Sequence, residues 1–315
     1  MKSIAARMLV VLAVAVAVLV AMCAAVFLLS NAVFDKPVWD TVYDVSRDGR
    51  LVAYASRDRT ALVFVLLADG RQVRKLEGFR YIDSVAFGQG NDVVYVIGTR
   101  GDVRHPSLFE VASNEVKLLY AGPSIGGISS VAASWDGRSL IFLEATKRQA
   151  DLFGGSFASG WILKEYSIDG GEVKQLSRTG QFAVERAAFS PDDRFVALPG
   201  SAQVCLIDVR DGTTREIRVP EAYPGDSVFS PKGDVVYYIY AEHMQATPRL
   251  VRLDLSTGNA LTVGQLPKGA ASLRAALSPW RLFCVVDSVP WTPPILLEVN
   301  PETAETKEWL RLEDR

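Results

Sequence analysis

Histidine, cysteine and methionine are scarce in this sequence, at two, three and four residues among 315. There is neither a His-x-x-x-His nor a Cys-x-x-Cys pair, whereas a catalytic zinc or manganese centre draws on about three protein ligands. The pattern therefore calls for no metal and no cofactor. Cys23, Cys205 and Cys284 are odd in number and far apart, and each sits in an apolar run as a small buried hydrophobe does, so no disulfide framework is implied. Charge of one sign is lacking too. A formal net charge of −2 with both signs scattered offers no basic face, which excludes nucleic acid as a partner. Beyond residue 38 there is no persuasive 3.6-residue apolar period, which excludes a helical fold for most of the chain.

One long hydrophobic run does occur. Residues 9–29 are uninterrupted apolar residues, preceded by Lys2 and Arg7. As a helix such a run spans about 31 Å, enough for a hydrocarbon core of roughly 30 Å. Apolarity continues through Ala24-Ala25-Val26-Phe27-Leu28-Leu29, past the length at which a signal peptide ends in a small-residue cleavage site. We expect a transmembrane signal anchor over 9–29, with secretion after cleavage as the alternative. Val20-Ala21-Met22 before Cys23 lacks the small residue of a lipobox. With Asp35 and Asp40 following the run, the positive-inside rule places 1–8 in the cytoplasm, 30–39 as a tether outside, and 40–315 as an extracytoplasmic domain, periplasmic or extracellular.

What the domain has in quantity is a repeat. Ser230-Pro231-Lys232-Gly233-Asp234 separates Ser227-Val228-Phe229 from Val235-Val236-Tyr237-Tyr238-Ile239-Tyr240. Related turns begin at Ser46, Gly88, Ser134, Ser190 and Ser278, giving spacings of 42, 46, 56, 40 and 48 residues. A type I turn favours Ser first, Pro second and Gly fourth, and a period near 45 is what a four-stranded propeller blade occupies. Each hairpin is followed by a further strand and turn, as in Val204-Cys205-Leu206-Ile207-Asp208-Val209 before Asp211-Gly212, and Leu250-Val251-Arg252-Leu253-Asp254-Leu255 before Thr257-Gly258. The expected fold is all-β, a six-bladed propeller of four-stranded blades preceded by one transmembrane helix. No strand is left over to complete the last blade, so closure is expected by packing of blade one on blade six, unless Asn31 to Val38 adds a strand.

These Ser-Pro-Asp-Gly-like turns and the strands ending in Asp-Gly or Asp-x-x-Gly make the domain resemble the TolB-like six-bladed β-propeller family. The resemblance implies a propeller and leaves its work open, since such propellers include binding modules, substrate gates beside peptidase domains and enzymes. The short turns hold one face of the ring down. Long connections fall on the other face, at Gly98 to Pro106, Ala145 to Gly160, Ala241 to Pro248 and Asp287 to Pro293. Loops on a rigid scaffold are where binding concentrates. The candidate contacts are Arg100, Arg104 and His105, then Leu152, Phe153 and Phe157, then His243, then Trp291. Each has a plain structural counterpart: solvated charges, phenylalanines folded back over blade three, a packed tryptophan.

Gly122-Pro123-Ser124-Ile125-Gly126-Gly127 contains the Gly-x-Ser-x-Gly pattern of a nucleophile elbow, but that motif works on a strand-to-helix turn beside a parallel sheet. Here it joins two blades, where its glycines permit a tight passage. The expected function is non-catalytic, a module binding a protein partner or small ligand through the long-connection face. The alternative is a propeller-channel hydrolase or lyase using His105 and His243, with Asp102 and Glu242 nearby.

Overall fold

The serine that heads each turn is a structural donor and acceptor. In the computed structural model, which describes residues 42–312 apart from 125, 151–155, 178–185, 201–202, 220–222, 243–245 and 287–292, Ser46 is fully buried. Its hydroxyl accepts the N–H of Leu51 at 2.9 Å and donates to Asp48 at 2.8 Å, while Gly49 N–H closes the turn on Ser46 O at 2.8 Å. Ser134, Ser190 and Ser230 repeat this at Ser139, Phe195 and Val235. The hydroxyl satisfies the first amide of the following strand, a group that would otherwise be buried without a partner. Gly49 sits at φ +65°, the left-handed position that a side chain resists, and Asp193 fills the same position at φ 55°.

These turns and their Asp-Gly counterparts divide the chain into twenty-four strands. Blade one holds β1 (Tyr43–Val45), β2 (Leu51–Ala55), β3 (Leu62–Leu66) and β4 (Gln72–Leu76). Blade two holds β5 (Phe79–Phe87), β6 (Val93–Arg100), β7 (Ser107–Ala112) and β8 (Glu115–Tyr120). Blade three holds β9 (Ile128–Ala133), β10 (Ser139–Ala150), β11 (Ser156–Ser167) and β12 (Val173–Gln175). Blade four holds β13 (Ala188–Phe189), β14 (Phe195–Pro199), β15 (Gln203–Asp208) and β16 (Thr214–Arg218). Blade five holds β17 (Tyr223–Phe229), β18 (Val235–Ala241), β19 (Arg249–Asp254) and β20 (Ala260–Gln265). Blade six holds β21 (Ala270–Leu277), β22 (Trp280–Val286), β23 (Ile295–Val299) and β24 (Thr306–Arg311). Each sheet pairs its four strands in chain order. The second strands, such as Val235–Ala241, are almost wholly buried because both faces pack on neighbouring blades, whereas outer strands such as Gln72–Leu76 are largely exposed. Cys205 and Cys284 are buried free thiols, as their apolar settings predict; Cys23 lies outside the described residues.

The innermost strands touch in turn around the axis, from β1 through β5, β9, β13 and β17 to β21, which returns to β1. Among the described residues no strand is exchanged between blades, and blade one packs directly on blade six. Tyr43, Tyr54 and Val65 of blade one share a core with Phe283, Val285 and Leu296 of blade six. Across this seam Trp309 Nε1 donates to Leu67 O at 2.7 Å, Leu277 N–H to Arg47 O at 2.8 Å, and Tyr43 OH to Ser272 O at 2.6 Å. Residues 31–38 lie outside the described residues, as does the expected span 9–29. No helix among the described residues is long and apolar enough to cross a membrane.

Three local expectations change. The blade-six turn is shorter than its relatives: Leu277 pairs directly with Trp280 around a cis Ser278-Pro279 bond. The serine turn is not confined to one face either. Ser56 accepts Ala61 N–H at 2.9 Å and donates to Asp58 at 2.6 Å in the β2–β3 connection. Most of the expected loop from Ala145 to Gly160 is strand: β10 and β11 run on as a two-stranded ribbon, with Lys147 opposite Gly160 and Ala150 opposite Ser156, beyond the last residues that pair with β9 and β12. Turn-face connections do stay short, from two residues at 113–114 to six at 300–305. The chain enters β1 from the opposite, long-connection face.

The Ser56 and Thr60 hydroxyls and the Thr60 amide hold the Asp58 carboxyl down at about 2. A depressed carboxylate contributes stability above its unfolded value near 3.9 and loses it as pH falls through about 2. Because the group is nearly fully exposed, Asp58→Asn is expected to cost less than about 1 kcal/mol at pH 7, with the difference from the parent chain closing as urea unfolding is repeated from pH 5 to pH 2. A gap that widens on acidification contradicts the assignment.

Candidate functional site at the centre of the ring

An innermost strand leaves one edge of its backbone facing the central channel, and those amides need partners. Here the neighbouring blade supplies them. Phe87 N–H donates to Asp44 Oδ2 at 2.8 Å, Val131 N–H to Ser84 Oγ at 3.0 Å, and Ala187 N–H to Ser130 Oγ at 3.3 Å. Arg186 N–H donates to Asp226 Oδ1 at 3.2 Å. Ser84, Ser130, Arg186, Asp226 and Arg274 all stand four residues ahead of the residue that heads the turn of their blade, so the repeat places them in one layer.

That layer carries a charged network across the axis. Arg186 of blade four reaches the opposite blade, with Nη2 at 3.3 Å from Asp44 Oδ2 and Nη1 donating to Tyr43 O at 3.3 Å. Arg274 of blade six donates through Nε to Tyr43 O at 3.0 Å, lies 3.5 Å from Asp44 Oδ1, and donates through Nη1 to the Asp226 carboxylate and to Leu273 O. The four charged side chains are each at most 13% exposed. Burial acts against the charge of Arg274, yet Asp226, Tyr43 and Asp44 raise its pKa above the ordinary value. Arg186 is lowered, by burial first and by the positive charge of Arg274 second. Burial also pushes the Tyr43 hydroxyl well up, and Arg274 stacks 4.9 Å above its ring. On the turn face, Arg47 of blade one donates to Ser134 O and Trp135 O of blade three and stacks on the Trp135 ring at 4.9 Å. Asp193 of blade four accepts the Trp135 and Asp136 amides at 2.5 and 2.7 Å. The channel is thus bridged twice, by the ion-pair layer and by Arg47.

Those of the residues singled out from sequence that the structure describes lie elsewhere. Arg100 ends β6 opposite Phe79, and its guanidinium covers the Phe79 ring at 5.2 Å, with Nη1 buried and unpaired. It packs rather than presenting a free charge. Arg104 is exposed and His105 half-buried in the β6–β7 connection. The His105 carbonyl accepts the Ser107 hydroxyl at 2.9 Å, which in turn accepts Gly122 N–H at 2.8 Å. Phe157 is in β11 opposite Gln149, on a ribbon and not in a loop. Leu152, Phe153, His243 and Trp291 lie outside the described residues. Among the described residues no group of three or more His, Cys, Asp or Glu gathers as a metal site would need. The Gly122 to Gly127 segment joins β8 to β9. A Cβ at Gly122 would sit 1.9 Å from Pro106 O, so the glycine serves a close backbone approach between two connections.

No sequence family matches the chain, and no curated protein does. Among solved structures it is similar to TolB from Acinetobacter baumannii, with 12% identity and a TM-score of 0.61 over 84% of this chain and 68% of that one. It is similar also to a luciferin-regenerating enzyme, with 12% identity and a TM-score of 0.59 over 80% and 85%. The hydrazine synthase of Kuenenia stuttgartiensis gives 14% identity and a TM-score of 0.57 over 84% and 77%. At such identities the likeness is one of fold, and it spans TolB and proteins named as enzymes alike.

Removing one partner of a buried pair strands the other charge, at a cost of roughly 3–5 kcal/mol. Arg274→Met and Asp226→Leu are each expected to fall in that range by urea unfolding. The double variant should be less destabilised than the sum by at least about 1 kcal/mol. Strict additivity would show that the two residues do not act as a pair.

Proposed function

We propose that this chain is a membrane-anchored extracytoplasmic propeller that binds a protein partner through its long-connection face and performs no catalysis of its own. The observation that carries this reading is the ion-pair layer. An active channel needs titratable groups poised for a substrate, and here the two arginines and two aspartates along the axis are engaged with one another and with backbone groups. The propeller fold, shared with TolB, hosts binding modules and enzymes alike, and the fold shared with a luciferin-regenerating enzyme keeps a hydrolase or lyase as the alternative.

Supporting the choice of face, the turn-face connections are uniformly short and tied down by serine, aspartate and Arg47 contacts. The opposite face carries the β10–β11 ribbon, and the sequence between its two strands, 151–155, includes Leu152 and Phe153. Large apolar side chains are the kind of anchor on which association energy concentrates. The anchor over 9–29 and the outward domain follow from the sequence arguments of length and charge.

A photo-crosslinking residue placed at Leu152 is expected to trap a discrete partner in intact cells, and the same residue at Asp169 on the turn face is expected to trap none. Adducts from Asp169 alone would reverse the assignment of the face. For topology, alkaline phosphatase fused after Arg315 should be active and β-galactosidase fused there inactive; the opposite pattern overturns an extracytoplasmic domain.

A further inference from the structure

Between the ion-pair layer and Arg47 the channel holds a cavity of about 90 Å³. Its wall is mixed. Ala132, Ala188 and Val228 contribute apolar surface, Arg186, Arg274 and Ser227 contribute donors, and Asp44, held by both arginines, contributes a carboxylate. Two of those donors are without partners. Ser227 is 3% exposed, and its hydroxyl makes no hydrogen bond. Arg274 is engaged through Nε and Nη1, which leaves Nη2 without a hydrogen-bond partner among the described residues. A buried hydroxyl without a partner carries a desolvation cost of about 1–3 kcal/mol, and the cavity is lined by three guanidiniums, of Arg47, Arg186 and Arg274, against the one carboxylate of Asp44. A small anion accepting from both donors would satisfy the hydroxyl and meet that excess of positive charge. Carboxylates match a guanidinium edge in geometry as well as charge.

We propose that this cavity is a binding site for a small carboxylate, of the size of formate or acetate, held by Arg274 and Ser227 with its carbon end against Ala188 and Ala132. The volume agrees, since a liquid water occupies about 30 Å³ and a carboxylate of this size about two such shares. Arg47 lines the cavity on one side and Asp44, Arg186 and Arg274 on the other, which favours an occupant of this size over a longer chain. The site is separate from the docking surface of the long-connection face and stands or falls independently of it.

The test uses the full-length chain prepared in carboxylate-free buffer, with ¹³C-acetate titrated at constant pH and ionic strength and line broadening of its carboxyl resonance followed by NMR. Saturable broadening is expected, displaced by formate but not by chloride or benzoate. Ser227→Ala should weaken binding roughly two- to tenfold, the range of one hydrogen bond. Ala188→Leu fills the cavity while leaving every donor in place, and should abolish binding. The proposal is overturned if the unaltered chain shows no saturable broadening up to about 0.1 M acetate, the weak limit of a specific site, in which case water alone fills the cavity. It is also overturned if benzoate competes equally, or if Ser227→Ala, or an Ala188→Leu chain with unchanged circular dichroism, binds as the parent does.

Discussion

Arg274 sits where three blades need something from the axis, and the rest of the ring depends on it. It binds the blade-one backbone at Tyr43 O, approaches Asp44, and holds Asp226 of blade five, which itself receives the blade-four amide of Arg186. A sheet can satisfy its own ladder, but six sheets around an axis cannot satisfy their inner edges unaided. Small side-chain oxygens suffice on one side of the ring, at Ser84 and Ser130. On the other side the gap is bridged by charge. Among the described residues no strand is shared between first and last blades, and there these bonds and the Tyr43–Phe283 core join the two.

This has a bearing on function. A buried ion pair is weak evidence for added stability, because desolvation offsets most of the attraction. What it does supply is a fixed arrangement: once Arg186 spans to Asp44, the channel cannot admit a chain threaded along the axis without breaking several buried contacts at once. The two ends of the ring differ: among the described residues the turn-face connections run from two to six residues.

Much of the fold could be read in advance because it is written in turns. A serine whose hydroxyl must meet an amide five residues on, with a left-handed residue between, leaves a signature that survives at Ser46, Ser134, Ser190 and Ser230. The β10–β11 ribbon was illegible for the converse reason. Thr146-Lys147-Arg148-Gln149 has no apolar alternation, since a ribbon past the edge of its sheet has no core to face, and Gly154-Gly155 reads as loop. The axial layer was legible in principle. Arg186, Asp226 and Arg274 are charges inside apolar innermost-strand segments at one fixed distance from the turn, and lining up the copies on the turn residue would have placed them together. Composition alone gave them no prominence, because histidine, not arginine, draws the eye as a site residue.

The direction in which the chain enters the ring fixes where it leaves. Val42 leads into the innermost strand of blade one from the long-connection face. Four antiparallel strands per blade return the chain to the face it came from, so Leu312, after the outermost strand of blade six, stands on that same face, its N–H donating to Pro294 O in the β22–β23 connection at 2.8 Å. The hub of blade one and the rim of blade six, neighbours in the ring, thus both hand the chain over on one side.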